Sequence, residues 1–394
     1  MSEALRPIWP VAFLLVAAVI AAWFGAPLPQ ELAGLRTYGP YAVLILAAGV
    51  AMWFNRERAF VLAASLLAAF AGYLQFPGVF TATACAVLVP FNAFLALVVP
   101  ERGARFGLAW KWVALLTVEA LGLYFLQRTV NLEGVFDHWL LHPAPTPLVG
   151  RLMFAAAFAM AVARAWPNHT PLELGIAGAL VAFFMAQTWV TDPRLYSLFM
   201  LTAGAVLVTA ILQESHRLAF RDGLTTLPNR RALEEELRAL NPPYAIAMVD
   251  VDHFKKFNDT HGHDIGDQVL KLVAARLAAA PGGGRAFRYG GEEFTLLFPG
   301  QRLAQVMPHL EAARAMVESH KMTIRGSDRP KNPKDGAKRR AREDLARTDM
   351  ILSVTVSIGA AEPGKHLKTT AEVLKGADEA LYRAKERGRN RVSR

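Results

Sequence analysis

Four carboxylates in two short stretches carry the strongest chemical signal in this sequence. Asp250 and Asp252 stand two residues apart where the apolar run 244–251 ends, so on an extended strand they share a face. Glu292 and Glu293 follow a Gly290-Gly291 pair. Carboxylate oxygens at the end of a buried strand and beside a neighbouring turn suit a hard divalent cation, above all Mg²⁺, with phosphates completing the shell. A pair of metals so held favours in-line attack at phosphorus. Asp250 and Glu292 are the candidate ligands. Lys255, Lys385, Arg389 and the backbone amides after Asp252 offer the complementary anion-binding groups, since free amides at a helix start bind phosphate. Two solvated carboxylates flanking a turn would leave that basic company unexplained.

These residues need a scaffold, and the pattern of residues 222–394 supplies one. A Gly- and Pro-punctuated loop, 222–231, leads into an amphipathic helix at about 229–240 that Pro242-Pro243 stop. Residues 244–251 read as a strand covered on both faces. Beyond a glycine turn at Gly262, the helical spacing of Ile265, Val269, Leu272, Val273 and Leu277 predicts a helix over about 264–280. Strands at 285–289 and 293–299 form a tight hairpin if Gly290 and Gly291 both take positive φ. A helix at about 303–319, a strand at 351–361 and a helix at about 369–387 complete one α+β domain. Residues 321–348 interrupt it with ten basic and four acidic side chains, a basic insertion that could meet acidic lipid headgroups or an acidic partner, or simply be solvated.

The rest of the chain is different material. Of 394 residues, 53% are hydrophobic and 19% charged, too apolar for an ordinary soluble enzyme. Through residue 214 there are 11 Lys and Arg against 10 Asp and Glu; beyond it, 32 against 23. A single cysteine, Cys85, excludes an intrachain disulfide and cysteine-rich zinc sites.

Eight apolar stretches, at about 8–24, 38–54, 59–75, 79–99, 107–126, 148–166, 172–190 and 195–213, approach the length that crosses a bilayer as helix. With a cytoplasmic N-terminus the inner side carries Arg6, Arg56, Arg58, Arg102, Arg105, Arg164, Arg217 and Arg221, the outer side only Arg36, Arg128, Arg151 and Arg194. This charge bias orients the chain as a multi-pass inner-membrane protein with a cytoplasmic C-terminal domain. Residues 8–24 lack the flanking charge of a signal peptide, since Arg6 is accompanied by Glu3. Glu119 is costly among Leu115, Val118 and Leu123, and marks either a ligand or proton site or a hydrogen-bonded carboxyl turned into the bundle. Asn92 reads as interhelical glue and Cys85 as a small buried hydrophobe. Glu133, Asp137, His138 and His142 could hold a metal, although a wet loop explains them as well. The division expected is a membrane domain over 1–213, a short stalk helix over 214–221 and a catalytic domain over 222–394.

Gly290-Gly291-Glu292-Glu293-Phe294, preceded by Arg288-Tyr289, resembles the signature of GGDEF-domain diguanylate cyclases. The likeness extends to the loop from Asp222 to Arg231, Asp250-Val251-Asp252-His253-Phe254-Lys255, Asn258-Asp259, Gly262-His263, Gly266-Asp267, Ser357-Ile358-Gly359 and the run from Ala384-Lys385 to Arg391. Each motif alone is weak; their order and spacing are specific. The resemblance implies a fold related to nucleotidyl cyclase and polymerase palm domains, and a nucleotidyltransferase that joins two GTP into cyclic di-GMP with release of two pyrophosphates. By the same resemblance Asp250, Glu292 and the Val251 carbonyl would hold Mg²⁺, or Mn²⁺ in its place, and Glu293 would act at the reacting 3′-hydroxyl. Lys255, Lys385, Arg389 and the 253–255 segment, His253 and Phe254 included, would bind the phosphates, and Asn258 and Asp267 would read guanine. One domain holds one GTP, so two phosphodiester bonds imply a homodimer under control of the membrane domain. GTP and membrane lipid are the other partners expected, and no nucleic acid is.

One position departs from the pattern. Many family members carry an Arg-x-x-Asp product-inhibition site where this chain has Pro281-Gly282-Gly283-Gly284, which predicts weak or absent feedback through that site. Two other readings compete: a catalytically silent GTP-binding signalling scaffold, and a transporter with a regulatory tail. Intact acidic, lysine and guanine-reading positions weigh against the first, and the absence of paired, glycine-broken spans against the second.

Overall fold

The computed structural model describes residues 8–25, 34–101, 109–129, 146–166, 170–324 and 350–394. The chain divides into two compact units, Met1–Arg217 and Leu218–Arg394. The proposed metal ligands between 133 and 142, and nearly all of the basic insertion, lie outside the described residues.

The first unit is helical, and each of the eight apolar stretches coincides with a helix: α1 (Ile8–Phe24), α2 (Gly34–Trp53), α3 (Glu57–Gln75), α4 (Val79–Val98), α5 (Ala109–Thr129), α6 (Leu148–Ala165), α7 (Pro171–Thr188) and α8 (Pro193–Phe220). Six of them, all but α1 and α5, are long and apolar enough to cross a membrane. Helix α1 has 17 residues, and α5 carries Lys111, Glu119 and Arg128. Small residues let the helices approach closely: a Cβ on Gly175 of α7 would lie 2.1 Å from that of Ala210 on α8.

Two polar side chains take structural places here. Arg58, counted above among the basic residues of the inner side, is buried at 5% exposure. It pairs with Glu173 of α7 at 3.0 Å and donates to the Ala96 carbonyl at 3.2 Å, joining α3, α4 and α7. A guanidinium so held reports on packing as well as on orientation. Glu119 accepts a hydrogen bond from Asn92 at 2.9 Å, and Asn92 also donates to Ser65 at 3.4 Å, so α3, α4 and α5 share one polar contact. Helix α8 runs unbroken to Phe220, so the stalk expected at 214–221 is a continuation of the last apolar helix.

The second unit is built on a five-stranded sheet in the order β2-β3-β1-β6-β7, formed by β1 (Tyr244–Val251), β2 (Arg285–Gly290), β3 (Glu293–Pro299), β6 (Val356–Ala361) and β7 (Val392–Ser393). β1 is central and antiparallel to both β3 and β6. All eight of its residues are buried, as its unbroken apolar run requires of a strand covered on both sides. Ala245, Ala247, Val249 and Val251 join one core with α11 (His263–Ala278) and α12 (Leu303–Glu318). Tyr244, Ile246 and Met248 join a second core with α9 (Arg230–Arg238) and α13 (Thr370–Glu386). Alternation along the strand therefore assigns Asp250 to the face that α13 covers.

Three expectations are corrected. The strand read over 351–361 is two: β5 (Met350–Leu352) pairs with β4 (Met322–Ile324) in a separate ribbon, and β6 begins at Val356. The chain is redirected between them because the Thr355 carbonyl accepts from Asp252 N–H at 2.9 Å. A short helix, α10 (Phe254–His261), occupies the segment before Gly262. The hairpin turns at Gly291-Glu292, since Gly290 still pairs with Glu293 and only Gly291, at φ 35°, has left the negative region.

Candidate functional site

The end of β1 is where the carboxylates meet. Asp250 is directly opposite Glu293 in the β1–β3 register, so both side chains rise from the α9/α13 face. The Val251 N–H donates to the Glu292 carbonyl at 3.3 Å and pins the hairpin turn beside the strand end. Asp250, 6% exposed, receives Lys385 Nζ of α13 at 2.9 Å. That reach depends on how closely α13 lies on the sheet. A Cβ on Gly359 of β6 would fall 1.9 Å from the Leu381 nitrogen, so only glycine permits the approach.

The electrostatics are those of a strained anionic cluster. Burial raises the Asp250 carboxyl above its usual range, against the pull of Lys385 and with a further push from Asp252. Glu292 and Glu293 are raised by burial first and by the Asp250 charge second, again opposed by Lys385. The Asp250 charge thus raises the proton affinity of both glutamates, while Lys385, with Arg389 acting on Asp250 and Arg230 on Glu293, partly offsets the burial of the cluster. Among the described residues no group of three or more metal-binding side chains is gathered; two carboxylates and a strand-end carbonyl leave room for phosphate oxygens, the arrangement Mg²⁺ favours.

Beside this cluster runs α10. His253 takes the left-handed conformation, φ 59°, and the helix starts at Phe254, whose ring is buried in the core while its backbone opens the first turn. Lys255 and Asp267 are exposed. Asn258 Oδ1 is buried without a hydrogen-bond partner, and a Cβ at Gly266 would stand 1.9 Å from it. A glycine thus keeps open the seat of an amide that lacks a donor, a cradle that fits a polar ligand edge.

With this geometry in hand, the comparisons with known proteins are decisive. The family model described as diguanylate cyclase, GGDEF domain, matches residues 219–334 and 337–391. The C-terminal unit is a GGDEF domain of the diguanylate cyclase family. The response regulator PleD of Caulobacter vibrioides is 37% identical over 192 residues, 46% of this chain and 37% of that protein. The diguanylate cyclase VdcA of Vibrio cholerae is 36% identical over 179 residues, 44% of this chain and 46% of that one. This chain therefore spans less than half the length of either relative. Among solved structures, the coiled coil and GGDEF domain of DgcB from Caulobacter crescentus, in complex with c-di-GMP, is 35% identical with a TM-score of 0.38, covering 46% of this chain and 88% of that one.

Within the GGDEF domain the expected site residues lie on four elements: Asp250 and Val251 on β1, Glu292 and Glu293 on the hairpin, His253 to Asn258 on α10 and its cap, and Lys385 on α13. Arg389, φ 64°, sits just past α13, close enough for its charge to act on Asp250. Asp267 lies on the first turns of α11, one residue from Gly266.

Two residues outside this set emerge as supports. Asp252 is 7% exposed and accepts from Ser357 Oγ at 2.6 Å, Thr355 Oγ1 at 2.7 Å and Asn390 N–H at 3.1 Å. It shares the strand face with Asp250 but is fully engaged, and it fixes the turn that carries Arg389. Arg288 donates through Nη1 to Asp222 at 2.7 Å and through Nη2 to the Gly291 carbonyl at 2.8 Å. Its guanidinium fork joins the loop that follows α8 to the turn that carries Glu292. Burial opposes ionisation of Asp222, but hydrogen bonds from Arg288 and Thr225 outweigh it and hold the carboxyl below the usual range.

Proposed function

We propose that the protein is a membrane-bound diguanylate cyclase that condenses two GTP into cyclic di-GMP and two pyrophosphates across a homodimer. The observation that carries this reading is the cluster of Asp250, Glu292 and Glu293, all raised by burial, beside Lys385, on a domain of the diguanylate cyclase family.

Asp250 and Glu292, with the Val251 carbonyl, would hold a divalent cation, Mg²⁺ or Mn²⁺, which would supply positive charge to the phosphates. Lys385, held at 2.9 Å from Asp250, would neutralise phosphates seated beside that carboxylate. Arg389, Lys255 and the amides at the start of α10, at His253 and Phe254, complete the phosphate seat. Asn258 and Asp267 read guanine: a carboxylate accepts from the N1 and N2 hydrogens of guanine and would face a lone pair on adenine, a mismatch worth about 1 to 3 kcal/mol per buried group. Glu293 takes the proton of the 3′-hydroxyl that attacks the facing nucleotide. Each site holds one GTP, so both bonds close only when two domains face each other, and α8 is the element through which the helical unit sets how often they do. The six long apolar helices support a membrane location, and the excess of arginines on one side of the expected topology supports a cytoplasmic GGDEF domain.

Incubating the solubilised full chain with GTP and Mg²⁺ tests the proposal. Cyclic di-GMP should form, and Glu292→Ala and Asp250→Asn should abolish it in folded protein. GTP binding without product in the unsubstituted chain refutes catalysis.

A further inference from the structure

One face of α5 closes a cavity of about 320 Å³ against α3 and α4, within the size range of small-molecule sites. Leu116, Glu119, Leu123 and Gln127 recur on α5 at helical spacing, so this wall is a single face of the helix. The three helices give the cavity two polar ends. Gln75 at the end of α3, Thr81 near the start of α4 and Gln127 near the end of α5 stand around a mouth, and both glutamines are exposed. Ser65 lies ten residues before Gln75, Asn92 eleven after Thr81 and Glu119 eight before Gln127, roughly 12 to 17 Å deeper by helix rise. Between the two ends the wall is mostly apolar, with Ala68, Gly72 and Leu88 among its residues. On the topology expected from the arginine bias the mouth opens on the outer side.

The floor decides what this space accepts. Glu119 is the only charged side chain in the wall among the described residues. Asn92 donates to its Oε2 at 2.9 Å, and its Oε1 is accessible, since the residue is only half-buried and this oxygen is not among the buried unpaired atoms. No basic group answers it. Lys111 and Arg128, the basic residues of α5, stand eight and nine residues away, roughly 12 and 14 Å along the helix, and Arg128 rests over the Tyr124 ring at 4.5 Å. A carboxylate at this depth without a counter-charge is costly. We propose that the cavity binds a protonated amine with an apolar body, its nitrogen on Glu119 Oε1 and its body along the walls. A proton would neutralise the carboxyl without using those walls. An inorganic cation would find oxygen only on Ser65, Asn92 and Glu119 at the floor, fewer ligands than such ions take. An ammonium with an apolar body uses floor and walls together, and the rings of Phe76 and Phe80 suit its passage inward. The inference goes beyond the cyclase reading and does not rest on it.

Tritiated phenylpropylamine, protonated at neutral pH and apolar in its body, is a suitable probe. With the full chain in phosphatidylcholine nanodiscs it should bind saturably, beyond what nanodiscs without protein take up. Unlabelled phenylpropylamine should displace it about tenfold better, or more, than phenylpropanol, which keeps the body and loses the charge, and phenylbutyrate should not displace it. Glu119→Gln should weaken amine binding by about tenfold or more and leave the weaker displacement by phenylpropanol within about twofold. Binding that never saturates overturns the proposal, as does equal displacement by amine and alcohol, which would mark a groove for lipid tails. Both results are read on the unsubstituted chain and need no variant to fold. A folded Glu119→Gln chain that binds the amine as tightly as the parent also overturns it. Since binding is read without nucleotide, a chain that binds the amine as expected yet makes no cyclic di-GMP would refute the cyclase and leave this site standing.

Discussion

Replacing Asp252 separates support from catalysis in the acidic cluster. Its carboxylate accepts from three donors, two hydroxyls at 2.6 and 2.7 Å and one backbone N–H at 3.1 Å, in a site only 7% exposed. Hydrogen bonds to a charged acceptor contribute about 1.5 to 3 kcal/mol each, and contacts sharing one acceptor are not additive. Asp252→Ala should therefore cost about 3 to 5 kcal/mol, a large part of the roughly 5 to 15 kcal/mol that holds a domain together. Asp252→Asn keeps one acceptor oxygen, and its amide can donate to Ser357, so its cost should be about 1 to 2 kcal/mol. Because the lost bonds anchor the turn carrying Arg389, the Asn variant should also raise KM for GTP more than it lowers kcat. Urea denaturation of the isolated 218–394 unit, which has its own cores, gives the free energies. The reasoning fails if Asp252→Ala is within about 0.5 kcal/mol of the parent, or if it abolishes turnover with stability intact, since either result would make Asp252 a catalytic group and not a support.

Other expectations follow from single contacts. Arg288→Ala should cost about 2 to 3 kcal/mol and lower cyclic di-GMP formation, and Arg288→Lys should recover little of either, because a lysine cannot bridge Asp222 and the Gly291 carbonyl as a fork; full recovery by Lys would contradict this. Gly266→Ala should reduce kcat/KM for GTP by about 10- to 100-fold by expelling Asn258, read by steady-state kinetics, and should leave the thermal midpoint within a few degrees. Glu292 is raised by burial and by Asp250, so the folded state binds its proton more tightly than the unfolded chain: stability falls as pH rises through the folded value, and metal-free Glu292→Gln should melt higher than the parent at pH 8 and not at pH 4. Mg²⁺ at ten times its Kd should add about 1.4 kcal/mol, roughly 3 to 6 °C, to the 218–394 unit at pH 8 and nothing to Asp250→Asn. Cyclic di-GMP at micromolar concentration should not inhibit through residues 281–284, since Gly282 and Gly284 are packed against His309 and Phe298 and present no side chain; inhibition that maps there would refute this.

How much of this was legible in the sequence depended on how local the cause was. β1 was read to the residue because eight consecutive buried positions leave an unbroken apolar run. The hairpin was placed but its turn was one residue early, as a glycine pair does not say which member stays in the ladder. Helix α10 was missed because only Phe254 and Phe257 are apolar in its eight residues, too few to show a period. The roles of Asp252 and Arg288 were out of reach, since Asp222 lies 66 residues from Arg288 and the partners of Asp252 lie 103 to 138 residues away, where no local pattern marks them. Arg58 looked like a topology signal because an arginine near a helix end reads the same whether it faces headgroups or a buried Glu173. The acidic positions stand out in the sequence because Asp250 ends a buried run and Glu292 and Glu293 follow a glycine pair, and the strand register sets Asp250 opposite Glu293.

The most direct measurement is a crystal structure of the 218–394 unit grown with Mn²⁺ and a GTP analogue that cannot react, with the metal located by its anomalous signal. The expected result is a peak at coordinating distance, about 2.2 Å, from carboxylate oxygens of both Asp250 and Glu292 and from phosphate oxygens. A bound nucleotide with its metal held elsewhere, or phosphates seated away from the end of β1, would contradict it.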